Sequence, residues 1–568
     1  MPNPQENQGR HRSRIALSAV LALTVMWLGG WIYYQPVKIG LDVPAGKLKS
    51  VSFAPFREGF SPLKERFPLP HHIEEDLELL SSKAESIRTY ASLGGMEVVP
   101  DAARPRNIKV TQGAWLGWGK KDNQKEIAAL IASANSHPDV VTRVIVGNEV
   151  LLRGEMDAAR LVEYIRTVKG AIRQPVSYAD VWSMYLKHPE IIEEVDFITI
   201  HILPYWEDEP VAIEDAPRHL ENIVSKVEAE AQSLGVSKPI FIGESGWPSV
   251  GRQRGFAAPS VVNAARYTRG MIDVVTRHNL DYNIVEAFDQ PWKATLEGVV
   301  GAHWGLFSKD RTPVYPLTGD VYETPHWREL FLGASLLFLA VLVFMKRAVA
   351  KGDLGQHLFI ISFAMLLGLA ITLLAAEAWR TSYNPLDRTK ALFGVLAASA
   401  LMLLLLQRVS ELLAKSALDP RVTRGLRGLY LLFITFAIYR SYELSTNGRY
   451  ISFPLGYHTV PLLGLIGIGF AALFEKTRLS IAEKLGFRPS RGYRLLGVAA
   501  FISAVGVIVG ETWAFVIARD LRSVYPDFWD ALPVALTHCL GNTQLIVWVL
   551  YLVALGLSLT RPALKSEA

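Results

Sequence analysis

VTRVIVGNE at residues 141–149 and PIFIGES at residues 239–245 decide how this chain is read. Each is a short, β-branched apolar run that reaches a glycine and then delivers a glutamate, Glu149 or Glu244. A continuous apolar run of that length, closed by glycine, reads as a strand buried on both faces of a parallel sheet. Working outward, six further runs have the same character: KSVSFAP (49–55), SIRTYAS (86–92), NIKVTQGAW (107–115), PVSYAD (175–180), DFITIHIL (196–203) and NIVEAFD (283–289). Amphipathic stretches such as HIEEDLELLSSK (72–83) and AARLVEYIRTVKGAI (158–172) lie between them. Eight strands alternating with helices over residues 35–328 predict an α/β fold, a (β/α)8 TIM barrel.

The rest of the chain has another composition. Of 568 residues, 50% are hydrophobic and 20% charged, and the charges are sparse in the C-terminal half. Ile15 to Tyr34 reads IALSAVLALTVMWLGGWIYY. That is the length of one membrane crossing, and it ends in interfacial aromatics without a small-residue cleavage site, so an uncleaved anchor is expected. Further spans are expected near 330–345, 357–376, 391–406, 429–445, 454–474, 495–517 and 544–560. The predicted organisation is therefore a cytoplasmic N-terminus (1–14), an anchor (15–34), the barrel (35–328), an all-α transmembrane domain of about seven helices (329–560) and a cytoplasmic tail (561–568).

Loop charges give the orientation. Arg10, Arg12 and Arg14 precede the anchor. Lys346, Arg347, Lys351, Arg408, Lys415, Arg421, Arg424, Arg427, Lys476, Arg478, Lys484, Arg488, Arg491 and Arg494 fall on the same side if every span crosses. The opposite loops carry fewer cations. By the positive-inside rule both termini are cytoplasmic and the barrel lies outside, in the periplasm of a bacterial cytoplasmic (inner) membrane. The same rule accounts for the net charge of +5, and no recognition module accompanies that charge, so nucleic acid is not an expected partner. Cys539 is the sole cysteine, which rules out an intrachain disulfide and a cysteine-based metal site.

The two glutamates carry the chemistry. Barrel sites gather at the C-terminal ends of the strands, where the loops converge on one mouth. Strands 4 and 7 face each other across a barrel, so Glu149 and Glu244 can flank one bond. Glycosidic cleavage needs such a pair, one carboxyl protonated and one ionised, and a spacing of about 5–5.5 Å gives retention through a covalent intermediate. Asn148 sets an amide beside the first acid, within reach of a sugar hydroxyl.

VGNEVLLRG and IGESGWPS resemble the acid/base and nucleophile motifs of glycoside hydrolase family 17, the β-1,3-glucanase family. IRTYAS, KVTQGAWLG, VSYADVW, HILPYWE, EAFDQPWK and GAHWGLFSKDRTPVYP resemble its other strand-end motifs in order, across 48–316. The resemblance implies that Glu149 is the acid/base and Glu244 the nucleophile. It also implies that Tyr205 contacts the nucleophile, and that Arg88, Tyr90, Asn148 and Phe288 line the sugar site. The bacterial members with similar motifs act as glucosyltransferases or branching enzymes as well as hydrolases. No cofactor and no metal are expected, and the partners implied are a β-glucan, the lipid bilayer and a glucan synthase.

Tryptophans on or after strand ends, Trp115, Trp118, Trp182, Trp206, Trp247 and Trp292, are candidates for stacking on sugar, with barrel packing as the plain alternative. Glu286, Asp289 and Glu58 read as structural hydrogen-bond partners, with direct substrate contact as the alternative. His71, His72, Glu74 and Glu75 open a polar helix and read as solvated rather than metal-binding. In the spans, Arg440, Glu443, His458 and Glu511 are the notable ionisable residues, either paired near span ends or lining a polar recess. The competing function is a binding-only barrel, a glucan receptor, transporter or scaffold of a glucan-synthase complex. A barrel that only binds has no need of both carboxylates.

Overall fold

The computed structural model describes residues 4–349, 353–473, 479–488 and 490–560. Lys351, Lys476, Arg478 and the tail 561–568, all used in the orientation and domain readings, lie outside them. The chain divides into two compact units, Pro36–Glu323 and a second made of Met1–Gln35 with Thr324–Ala568.

In the first unit eight parallel strands close into a barrel in sequence order, as the alternating pattern predicts. They are β1 (Leu48–Ser52), β2 (Ala84–Arg88), β3 (Lys109–Ala114), β4 (Val141–Asn148), β5 (Val176–Val181), β6 (Ile198–His201), β7 (Ile240–Ser245) and β8 (Asp281–Ile284). Closure is made by Val51 of β1 opposite Ile284 of β8. The last strand is shorter than the NIVEAFD run predicts. Regular pairing ends at Ile284, although Val285 N and Ala287 N still donate to the Ser245 and Ser52 carbonyls at 2.9 and 3.0 Å, and Phe288 makes an isolated bridge with Phe307.

Helices cover the outside because each presents an apolar stripe. Ala158–Lys169 buries Leu161, Val162, Ile165 and Val168 at helical spacing, and Asp157 caps it by accepting from Arg160 N. Val261–Arg277 is capped in the same way by Ser260, which accepts from Asn263 N. Each cap satisfies an amide that the first turn leaves open, a contribution of about 1 kcal/mol.

The second unit is all-helical. Among the described residues, eight of its helices are long and apolar enough to cross a membrane: Ser13–Tyr33, Trp327–Met345, Leu354–Arg380, Pro385–Leu413, Pro420–Thr446, Leu455–Leu473, Arg491–Val516 and Thr543–Thr560. These are the marks of a multi-pass membrane protein. The unit also contains helices that the hydropathy pattern does not announce, Ile481–Lys484, Arg519–Val524 and Phe528–Gly541. Several of its polar side chains pair within a helix or with a neighbouring segment. Arg440 donates to Glu443 at 2.6 Å and to the Ser452 carbonyl at 2.9 Å. His458 meets the Tyr551 hydroxyl at 2.9 Å, and Trp548 donates to Ser441 at 3.0 Å. Asn542 donates to Glu511 at 3.4 Å.

Candidate active site

The barrel mouth is built from strand ends. Arg88 closes β2, Asn148 closes β4, Asp180 is next to last in β5, His201 closes β6, and Glu244 is next to last in β7. Glu149 follows β4 with φ of +52°, a left-handed conformation that ordinary residues avoid. Gly147, two residues earlier, is also at positive φ, +88°. The pair turns the strand end sharply. A backbone bond from Glu149 N to the Ala179 carbonyl, at 2.8 Å, holds the turn in place.

Glu149 and Glu244 approach across the mouth. One oxygen of each and a ring nitrogen of His201 all lie within 4.8 Å of one another. His201 stands between them. Its Nδ1 is 2.8 Å from Glu149 Oε1, and its Nε2 is 3.7 Å from Glu244 Oε1. Arg88 closes the network from below. Its Nη1 donates to the Gly243 carbonyl at 2.7 Å and to Glu244 Oε1 at 3.2 Å, and its Nη2 donates to Asn148 Oδ1 at 2.5 Å. One buried guanidinium therefore orients the second glutamate and the amide beside the first. Buried charge is tolerated here because both terminal nitrogens of the guanidinium are hydrogen-bonded and one of them faces the Glu244 carboxylate.

The surroundings shift Glu149, Asp180 and Glu286 in different directions. Burial alone would raise Glu149, but the hydrogen bond and field of His201, with the charges of Arg153 and Arg88, outweigh it and hold the group below the ordinary carboxylate range. Asp180 moves the other way. Burial and the neighbouring Glu149 charge push it up to about 7, against the pull of its hydrogen bond from Tyr178. Glu286 is wholly buried, and burial pushes it up to about 7 despite Lys293, whose ammonium donates to both its oxygens at 2.9 and 3.0 Å.

The structure sorts the other predicted residues. Tyr90 lies under Arg88, whose guanidinium carbon is 4.9 Å from the ring centre, and its hydroxyl donates to Ser52 at 3.0 Å. Tyr205 is buried and donates its hydroxyl to the Arg252 carbonyl at 2.6 Å. Phe288 is fully buried, packed against Phe53 and Phe307 with Arg311 over its ring. Trp247 is buried too, with its indole N–H on the Ala258 carbonyl. Trp206 stacks on Trp304 with 21° between rings. Trp292 packs edge-on to Phe56 and donates to Gln290 at 2.8 Å. Trp182 donates to Glu207 at 3.2 Å. Trp115 and Trp118 are the exposed ones, and the Arg153 guanidinium lies 4.4 Å from the Trp115 ring centre.

Sequence reasoning passed over His201, Asp180 and Asn283. Asn283 donates to Ser52 at 2.7 Å and to the Gly243 carbonyl at 3.0 Å, tying β8 to β1 and β7 under the glutamate. The signal for His201 was present, because a histidine in the apolar run DFITIHIL must face inward or be covered. Glu149, His201 and Glu244 also have metal-ligand spacing. The Arg88 guanidinium, 3.2 Å from Glu244 and 3.3 Å from His201 Nε2, already places a positive charge there.

Residues 51–305 match the profile of the BtgE/BtgC glycoside hydrolase domain. A glucan 1,3-β-glucosidase of Arthroderma benhamiae is 28% identical over 257 residues, 43% of this chain and 82% of that protein. A glucan 1,3-β-glucosidase of Schizosaccharomyces pombe is 28% identical over 255 residues, covering 43% and 79%. A β-1,3-glucanosyltransferase of Rhizomucor miehei, solved with laminaritriose as an active-site mutant, shares 29% identity over 47% of this chain and 95% of that one, with a TM-score of 0.41. Over residues 51–305 the barrel unit of this chain thus matches the BtgE/BtgC glycoside hydrolase domain, and its strand-end motifs resemble those of family 17.

Proposed function

We propose that this protein is a retaining β-glucan glycosidase and transglycosylase, cleaving β-1,3-glucan and passing the glucosyl unit to a second glucan or to water. The observation that carries the reading is the approach of Glu149 and Glu244 to within 4.8 Å at the ends of β4 and β7. Carboxyl groups about 5–5.5 Å apart fit direct attack, whereas inversion needs about 6.5–9.5 Å to admit a water.

In the first step a Glu244 oxygen attacks the anomeric carbon. The glycosidic C–O bond breaks, and the proton on Glu149 passes to the leaving oxygen. In the second step the ionised Glu149 takes a proton from an acceptor hydroxyl or water. That oxygen attacks the anomeric carbon, and the ester to Glu244 breaks with its electron pair returning to the carboxylate. Arg88 holds Glu244 Oε1 at 3.2 Å and so fixes the orientation of the attacking carboxylate. The resting Glu149 is held low, yet its side chain keeps about a quarter of its surface exposed, 24%. A bound sugar covers that surface and strengthens burial, the effect that raises the group. Substrate and proton are thus taken up together.

Arg88, Tyr90 and Asn148 form the floor of the sugar site in this reading. Trp206 and Trp292 are its aromatic flank, while Tyr205, Trp247 and Phe288 back it from the core. The barrel works on the outer face of a bacterial cytoplasmic membrane, since the loop charges fall on the opposite side. Tethering keeps acceptor chains at high effective concentration beside a glucan synthase, and that favours transfer over hydrolysis. The test is to incubate the purified full-length chain with one β-1,3-gluco-oligosaccharide at millimolar concentration and to follow product lengths. Early products longer than the starting sugar are expected. Shorter products alone would reduce the protein to a hydrolase, and no products would overturn the reading.

A further inference from the structure

The network between the two glutamates fixes where protons sit. Arginine carries donors only. Arg88 Nη1 lies 3.3 Å from His201 Nε2, so a lone pair must face it there. The ring proton of the neutral imidazole is then on Nδ1, pointed at Glu149 Oε1, 2.8 Å away. His201 has a fully buried side chain at the end of β6, opposite Val181 on one side and Glu244 on the other. Gly243 makes room for the ring, because a Cβ at that position would come 3.2 Å from His201 Cδ2 and 3.3 Å from Nε2. The imidazole therefore has one orientation and one tautomer.

We propose that His201 is the positioning residue of the acid/base: its Nδ1–H holds Glu149 Oε1 as a permanent acceptor and leaves Oε2 as the single oxygen that gives and takes the catalytic proton. The proposal rests on the glycosidase reading and deepens it. In the first step the carboxyl is protonated on Oε2 while Oε1 stays on His201. After transfer the anion keeps the same bond, and Oε2 accepts the proton of the incoming hydroxyl. The imidazole neither gains nor loses a proton in the cycle. Its work is to stop the carboxyl from rotating and to favour the anion when Glu149 must act as a base.

Several charged groups face this pair from the surrounding elements. Arg88 comes from β2, Arg153 from the loop after β4, and Asp180 with Tyr178 from β5. Glu244 comes from β7, and Glu297 from the helix Ala294–Gly301. Arg153 and Arg88 favour the Glu149 anion as His201 does, while Asp180 and Glu297 are themselves pushed up beside it. Removing the His201 donor takes away the strongest influence that lowers Glu149, so the high-pH limb of activity must move to higher pH.

The test compares pH profiles of kcat/KM on a β-1,3-gluco-oligosaccharide for the full-length protein, His201→Phe and His201→Asn, with an activated aryl β-glucoside alongside. In His201→Phe the high-pH limb should move up and oligosaccharide turnover should fall about 10²-fold, the scale of a misplaced catalytic group. The aryl glucoside, which needs little proton assistance, should lose far less. His201→Asn keeps an N–H near the Nδ1 position, so its limb should return toward the wild-type position and much of the rate should recover. If His201→Phe does not fold, His201→Gln, whose amide sits near the Nε2 position, replaces it with the same expectation. A limb that stays in place or moves down, or equal losses on both substrates, overturns the proposal while the glycosidase reading stands. A wild-type protein that turns over neither substrate sinks both.

Discussion

In the proposed mechanism Glu149 must carry a proton and Glu244 must not, and the residues around them differ accordingly. Glu244→Gln keeps the shape and the Arg88 contact but removes the attacking oxygen, so turnover of any β-glucoside should fall by at least about 10³-fold while the fold stays intact by circular dichroism. Glu149→Gln should lose about 10²–10⁴-fold on oligosaccharides yet keep the first step on an activated aryl glucoside, seen as a burst of released phenol. Loss of that burst would reverse the two roles. Uptake of a proton with substrate has its own signature. The high-pH limb of kcat, which reports the bound enzyme, should lie above that of kcat/KM, which reports the free one. Buried Asp180 makes stability depend on pH as well. Its folded pKa, about 7, lies above the ordinary aspartate value of 3.8, so the folded state holds a proton that the unfolded chain releases. The resulting stability is full below about pH 4 and is lost as pH rises toward 7. Asp180→Asn should flatten that part of the melting-temperature profile. Glu149 and Glu244 were legible because each ends an apolar strand at a glycine. Their bridge was not, because no local pattern states that the last residue of β6 will stand between β4 and β7.

Elements matter here through how closely they pack. β6 and β7 pack against each other at Gly243, where an added Cβ would come 2.5 Å from Thr199 Cγ2 and press on His201. Gly243→Ala should therefore cost about 1–3 kcal/mol in unfolding free energy and, because it displaces the strand carrying Glu244, should lower kcat more than it raises KM. An alanine variant with wild-type stability and rate would show that the strands can part there freely. The eight strands could be read from sequence because parallel strands buried on both faces leave near-continuous apolar runs. The end of β8 could not. The apolar residues of NIVEAFD run on past Ile284 to Val285, Ala287 and Phe288, but regular pairing covers only Asp281–Ile284, and Phe288 pairs with Phe307 from a later loop. The helix Phe528–Gly541 was missed for a related reason. It is short, has Pro533 inside it, and lies outside the length that marks a span.

At the scale of the whole molecule, the chain joins a glycoside hydrolase barrel to a helical unit that has, among the described residues, eight membrane-length helices. Span positions were legible because length and apolarity alone define them. How the polar side chains of that unit pair was not, since the partners of His458 and Glu511, Tyr551 and Asn542, lie 93 and 31 residues away in sequence. The proposed orientation is open to a direct check. A reporter enzyme active only outside the cytoplasm should be active when fused after Gly59 and silent after Lys415, and the reverse would place the barrel where no exported glucan reaches it. The central claim, retention through a glucosyl-enzyme at Glu244, is tested most directly by the configuration of the first product. Proton NMR of the full-length protein turning over a β-1,3-gluco-oligosaccharide should show the β-anomer appearing first, with the α-anomer growing in only by mutarotation, and an α-anomer formed first would contradict the account.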